Sequence, residues 1–217
     1  MTHRRLVLMV LVALCGLALG WLLAGLLVWI RPAQGAPAVA QDETEPLGPA
    51  LASGVRCGRA RWQQKTLTDP AAQTVNLSPL DSTVEDLIAL PAPKSWTPDL
   101  PRQVTEFRAY RVPAVLVAFK LEPDSDIHLV LRGTSGATMI AEIPDPRCAH
   151  GSVVLPQLAQ VRKAFLQRFG APERFRWRRP LHGAVVVVTG ILLFDDAHGQ
   201  RGVAPNGVEL HPVIGLN

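Results

Sequence analysis

Between Tyr110 and Asp145 the chain reads YRVPAVLVAFKLEPDSDIHLVLRGTSGATMIAEIPD. Val115, Val117, Phe119 and Leu121 recur at every second position, as do Ile127, Leu129 and Leu131, with the turn-forming EPDSD between the two runs. Successive side chains of a strand point to opposite faces, so this spacing predicts a hairpin with one apolar face on each strand. A GTSG turn leads into ATMIAEIPD, a third strand. LPQLAQVRKAFLQRFG then sets Leu158, Val161, Phe165, Leu166 and Phe169 at helical spacing and stops at Gly170. GAVVVVTGILLFDD, apolar on both faces, and NGVELHPVIGL supply a fourth and a fifth strand. The order of three strands, a helix and two strands predicts a mainly β domain over 104–217, a small five-stranded OB-like barrel whose helix plugs one end. Gly190 in VTGILLF suits a strongly bent strand. A small open sheet covered by one helix is the alternative.

Working outward, residues 55–103 are rich in proline and lack a periodic face, which predicts extended segments and turns wrapping something else. Ser82 followed by Glu85 makes a capping box, so a short helix is expected over Thr83–Leu90, ending at Pro91. Residues 31–54, dominated by Pro, Ala and Gly, read as a tether. Before them, Leu6–Ile30 is an uncharged apolar run behind Arg4 and Arg5. At about 1.5 Å per residue it is long enough to cross a hydrocarbon core of about 30 Å. Its length predicts a transmembrane anchor, while the small residues of AQGAPAVA also suit signal peptide cleavage. Either way the two arginines stay inside and the rest of the chain goes out. The expected location is the cell membrane, as a single-pass protein with an extracytoplasmic C-terminal domain, or outside it after cleavage.

The formal charge of +4 falls to +2 once Arg4 and Arg5 are set aside. That is no electrostatic signature of nucleic acid binding. Cys57 and Cys148 remain in the exported part, and an oxidising compartment makes a disulfide between them the default, with two buried free thiols as the alternative.

Three stretches, RWQQKTLTDPAAQTVN, DSDIHLVLRGTSGATMIAEIPDPRC and FDDAHGQRGVAPNGVELHPV, resemble a family of uncharacterised exported bacterial proteins. Its pattern runs from a cysteine and R-W-x-x-K-T-x-x-D through D-x-D-I-H-L-V and T-M-I-x-E-x-P-D-x-x-C to H-G-x-x-G-x-A-P-N-x-x-E-L-H-P-V. The resemblance covers about Cys57 to Val213. It implies export, a paired Cys57 and Cys148 and a β-rich domain, and it assigns no catalytic role. The basic ERFRWRRPLHG before the fourth strand departs from it.

Three polar clusters can carry chemistry: Asp124, Asp126 and His128; Asp195, Asp196 and His198; Asn206, Glu209 and His211. Residues two apart on a strand share a face, so Asp126 projects with His128, and Glu209 with His211. Such mixed imidazole and carboxylate shells suit a divalent metal, zinc or manganese, and an open position on it supports hydrolysis. In that reading Asp126, His128, Glu209 and His211 are ligands and Asp195 or His198 is the base. The plainer reading is a solvated strand face with turn residues beyond it, and His211-Pro212 as a strand edge.

The segment before the fourth strand contributes Arg174, Arg176, Trp177, Arg178 and Arg179, with Phe175 interleaved. It fits a patch for an anionic surface, membrane lipid ahead of nucleic acid, or a strand whose aromatics pack inward while the arginines stay in solvent. No phosphate-binding glycine loop or nucleophile elbow is present. The sequence therefore points to a membrane-tethered or secreted binding domain for an extracytoplasmic ligand or protein, with a metal-dependent hydrolase of phosphodiesterase or nuclease type as the alternative.

Overall fold

The computed structural model of the chain describes residues 47–174 and 176–217. Among them no helix is long and apolar enough to cross a membrane; the predicted span Leu6–Ile30 lies outside the described residues.

The fold is mainly β, with a closed five-stranded barrel at its centre. Strands β1 (Leu47–Ala50) and β2 (Arg56–Gly58) form a small antiparallel pair, so the tether expected to reach residue 54 is already structured from Leu47. After a helical turn, α1 (Trp62–Lys65), strand β3 (Asn76–Asp81) and helix α2 (Val84–Ile88), the barrel begins with β4 (Arg108–Leu121). It continues through β5 (Ile127–Arg132), β6 (Thr138–Ile143), helix α3 (Leu155–Phe169), β7 (Ala184–Phe194) and β8 (Val208–Leu216). The ring runs β4, β5, β6, β8, β7 and back to β4; β6 and β8 are parallel and the other barrel pairs antiparallel. β3 adds in parallel to the start of β4.

Tyr110, Val112, Ala114 and Leu116 of β4 face the interior with Ile127, Leu129 and Leu131 of β5 and Met139, Ala141 and Ile143 of β6. Burial of such side chains contributes roughly 1.5–3 kcal/mol each and is the main force closing the ring. The face assignment on β5 is as expected, but that on β4 is shifted. A register irregularity between Leu116 and Ala118 lets Phe119 turn inward, leaving Val115 and Val117 outward and half-buried. From α3, Val161 and Phe165 cover the interior, with Phe165 edge-on to Phe119 at 5.1 Å. On β7 the pairing with β8 shifts on either side of Gly190, where a Cβ atom would meet Leu210 at 2.9 Å. That glycine permits the close strand crossing.

The capping box forms one residue later than expected. Thr83 Oγ1 accepts from the Asp86 backbone N–H at 3.0 Å, and Asp86 accepts from the Thr83 N–H at 3.2 Å. Glu85 instead accepts from the Ser135 N–H and hydroxyl, both at 2.8 Å, tying α2 to the turn between β5 and β6.

Residues 59–75 wrap the outside of the barrel, where Leu67, Ala72 and Val75 form a second core with Ala109, Val154, Leu158 and Ile191. Two devices fasten the wrap. Cys57 and Cys148 are joined in a disulfide 91 residues apart. A loop of that length is worth on the order of 4 kcal/mol in the chain-entropy model. Arg61 and Glu106, both with fully buried side chains, form a bidentate pair at 2.8 and 2.6 Å. Each also grips the end of β7: Arg61 donates to the Phe194 carbonyl at 2.6 Å, and Glu106 accepts from the Phe194 N–H at 2.7 Å.

Removing one member of a buried, fully bonded pair strands the other charge, at a cost of about 3–5 kcal/mol. Glu106→Gln and Arg61→Met should each lower unfolding stability in urea by that amount, and the double variant Arg61→Met/Glu106→Leu should recover part of the loss. Additive losses in the double variant would contradict a direct pair.

Candidate functional site

The strand register assembles a row of ionisable groups on the outer face of the barrel. Lys120 of β4 lies opposite His128 of β5, and His128 lies opposite Glu142 of β6. The parallel pairing of Ile140 with Glu209 and Ala141 with Leu210 brings His211 of β8 beside Glu142. An outer strand face is ordinarily wet, but here it is covered. His211 and Asp126 are 0% exposed, His128 1%, Glu209 3% and Glu142 8%. The expected solvated face is thus a sealed polar layer. Trp62 of the wrap stands edge-on to His211 at 6.5 Å, and Trp177 edge-on to His128 at 5.2 Å. Neither lid is visible in the strands themselves.

His128 Nδ1 lies 3.0 Å from Glu142 Oε1 and 3.2 Å from Glu122 Oε1, and Nε2 is 3.0 Å from the Arg201 carbonyl oxygen. With acceptors at both nitrogens, both carry hydrogen and the ring is an imidazolium. Burial alone pushes its pKa down, but the hydrogen bonds and charges of Glu122 and Glu142 lift it to about 10. Burial pushes Glu142 up, yet the His128 hydrogen bond and the charges of His211, His128 and Lys65 hold it at about 2. Lys120 sits 3.2 Å from Glu122 and stacks over Trp177 at 4.9 Å, and Arg201 lies 5.1 Å from the same ring.

His211 Nδ1 is 3.0 Å from Glu209 Oε1 and 3.3 Å from Glu142 Oε2. On its other side, Nε2 is 3.1 Å from Asp126 Oδ2. Burial works against the charge on His211, and the carboxylates of Asp126, Glu209 and Glu142 raise its pKa well above the ordinary value. Burial raises Asp126 and Glu209 in turn. Asp126 Oδ1 accepts from the Asp145 N–H at 3.2 Å, and Asp124 accepts from the Asp126 N–H at 3.0 Å. Arg162 of α3 caps this end, donating to the Ile143 and Ser125 carbonyls at 3.0 and 2.9 Å.

Of the residues predicted as ligands, Asp126, Glu209 and His211 come together, and His128 joins them through Glu142, which the sequence reading missed. Donor atoms of Asp126, Glu142 and His211 all lie within 4.8 Å of one another. Of the predicted bases, Asp195 borders the cluster, close enough for its charge to add to burial in raising the pKa of Glu209, and His198 stands outside it. Asp195 is engaged by Lys65 at 2.8 Å. His198 bonds to Gln200 at 2.9 Å and lines a cleft of about 410 Å³ with Arg59, Trp96 and Asp196. Asn206 is a clip, donating to the Leu87 and Leu90 carbonyls at 3.0 Å each.

The basic segment is also divided in its work. Arg174 donates to the Pro123 carbonyl and the Ser125 hydroxyl, and Arg178 donates to the Ala171 carbonyl at 2.7 Å and lies over Phe119. Arg176 is exposed beside Glu173. Arg179 alone of the four reaches a groove of about 520 Å³, shared with Arg132, His182 and Arg201 over Val117 and Val130. Burial and the charge of Arg179 both lower the pKa of Arg201.

Searches against protein-family models, curated proteins and solved structures find no match to this chain.

Because the folded-state pKa of His128 is raised, its stabilising contribution is complete below about pH 6.5 and is lost as pH rises toward about 10. The stability gap between wild type and His128→Gln, measured by urea unfolding, should therefore shrink steadily from pH 6.5 to 10. A gap that stays flat over that range would contradict an imidazolium at this position.

Proposed function

We propose that the chain is an extracytoplasmic binding domain, delivered by its apolar N-terminal stretch and either tethered to the membrane or released, whose barrel is of OB type and whose ligand is anionic. The OB assignment is supported by the ring order, first, second, third, fifth and fourth strand, and by a helix between the third and fourth. The Cys57–Cys148 bridge supports an oxidising compartment. Membership of the exported bacterial family rests on the three sequence stretches quoted above.

The observation that carries the ligand class is the groove. Arg132, Arg179 and Arg201 line it, and among the described residues no carboxylate pairs with any of the three. Neighbouring cations without a counter-charge repel one another, and a phosphate, sulfate or carboxylate in the groove relieves that repulsion. Val117 and Val130 form its floor, and Arg201 brings the loop between β7 and β8 to its rim. By fold analogy, OB barrels bind through this part of the surface. A compartment outside the cytoplasm favours a phosphorylated or sulfated envelope component over nucleic acid.

The metal-dependent hydrolase has less support. A catalytic ion keeps an open position that substrate can reach, whereas Asp126 and His211 are fully buried beside Trp62, and Asp195 is held by Lys65.

Titration calorimetry with inorganic pyrophosphate and with a sulfated oligosaccharide tests the reading. Hydrogen bonds to a charged group are worth about 1.5–3 kcal/mol. Arg179→Ala and Arg201→Ala should thus each weaken binding by roughly ten- to a hundredfold, and Arg176→Ala should leave it unchanged. Equal affinity in all three variants, or no binding of either probe, would overturn the groove as the ligand site.

A further inference from the structure

We propose that Asp126, Glu142 and His211 hold one divalent transition ion, zinc or manganese, in a buried site that joins the start of β5 to β6 and β8 beneath the wrap. This inference is independent of the anion groove and differs from the ligand set expected from sequence. It adds Glu142, and it leaves His128 and Glu209 outside the ion's immediate shell.

Three observations carry it. Asp126 Oδ2 and His211 Nε2 are buried and 3.1 Å apart, yet neither makes a hydrogen bond of acceptable geometry with the other or with any described group. Buried polar atoms are rarely left in that state. Two ligands of one ion at about 2.0–2.2 Å lie roughly 3.0–3.5 Å from each other, so the misaligned contact has the separation of neighbouring ligands. A donor of Glu142 completes a set within 4.8 Å.

The partners outside that set are arranged as supports. Glu209 Oε1 and Glu142 Oε2 face His211 Nδ1 at 3.0 and 3.3 Å, so Nε2, beside Asp126 Oδ2, is the nitrogen without a hydrogen bond, and Glu209 is placed as the carboxylate support of a metal-bound imidazole. The Asp145 N–H occupies Asp126 Oδ1 and leaves Oδ2 free. His128 fixes Glu142 through Oε1.

One imidazole with two carboxylates suits zinc or manganese better than calcium or magnesium, whose sites are built from oxygen.

The test uses the exported chain purified without an affinity tag. Elemental analysis should find close to one zinc or manganese per chain. After removal of the ion with a chelator, the melting temperature should fall, and it should return on adding zinc or manganese. Asp126→Asn and Glu142→Gln should weaken uptake at least a hundredfold, whereas Glu122→Gln, which alters a partner of His128 and Lys120 outside the ligand set, should retain it. Circular dichroism establishes that each variant is folded. Should the ligand variants not fold, nitrogen NMR of His211 in the wild type decides: zinc should shift Nε2 and leave Nδ1 protonated. Chelator-treated, folded wild type that takes up neither ion at micromolar concentration would overturn the site. So would a His211 ring that keeps protons on both nitrogens with equimolar zinc, or a loss in Glu122→Gln equal to that in Glu142→Gln.

Discussion

The Arg61–Glu106 pair is the constraint on which the rest depends. It is buried, bidentate and tied to both backbone groups of Phe194, so it fixes the wrapping segment to the end of β7 at a defined position. Arg61 begins α1 in a left-handed conformation, and the next turn carries Trp62 and Lys65 onto the barrel. Trp62 then covers His211, and Lys65 reaches Asp195. The disulfide constrains the same segment from its other side, with the Trp62 indole N–H donating to the Cys148 carbonyl at 3.1 Å. If the pair failed, the lid over the polar layer would lose its anchor, and ionised groups on the barrel would regain water.

That sealed layer is an unusual use of a small barrel. Buried ion pairs seldom stabilise a protein more than apolar residues of the same shape would, because removing charge from water costs several kcal/mol per ion. Their value lies in specifying one arrangement. Cross-strand contacts run from Lys120 through His128 and Glu142 to His211, and a slip of one residue in any strand would send the ionisable groups into the apolar interior. The layer therefore selects the register that the interior valines and leucines, being similar in size, specify less sharply.

How far the sequence discloses this depends on where the signal sits. Strands β5, β6 and β8 and helix α3 are legible because their apolar residues repeat at 2 or 3.6 residues between clear turns, and β7 because its apolar run is continuous and bounded by turn residues. β4 was legible as a strand but misassigned at Val115 and Val117, since an irregularity at Leu116–Ala118 breaks the alternation without leaving a glycine or proline there as a mark. The pairings of Asp126 with His128 and of Glu209 with His211 on common faces were readable from spacing alone. Their burial was not, because the covering groups, Trp62 and Trp177, are brought there by irregular segments. Glu142 left a faint trace: in TMIAEIPD it alternates with the interior residues Ala141 and Ile143, and only the register with His128 gives that alternation meaning.

Arg201 links the buried polar layer to the arginine-lined groove in a way that neither shows by itself. Its carbonyl oxygen accepts from the His128 imidazolium, its guanidinium lies over Trp177, and its side chain lines the groove with Arg179. Trp177 in turn contacts Lys120, at 4.9 Å from its ring centre, and stands edge-on to His128. An anion drawing the Arg201 guanidinium toward itself must act through a residue whose backbone is hydrogen-bonded to the buried layer. If the groove takes an anion as proposed, the hydrogen bond from His128 to the Arg201 carbonyl would hold that backbone before the ligand arrives, so part of the ordering entropy of one binding arginine would be met during folding rather than at binding. The Asn206 side chain, donating to the Leu87 and Leu90 carbonyls, and the buried Ala204 fix the same loop nearer to β8.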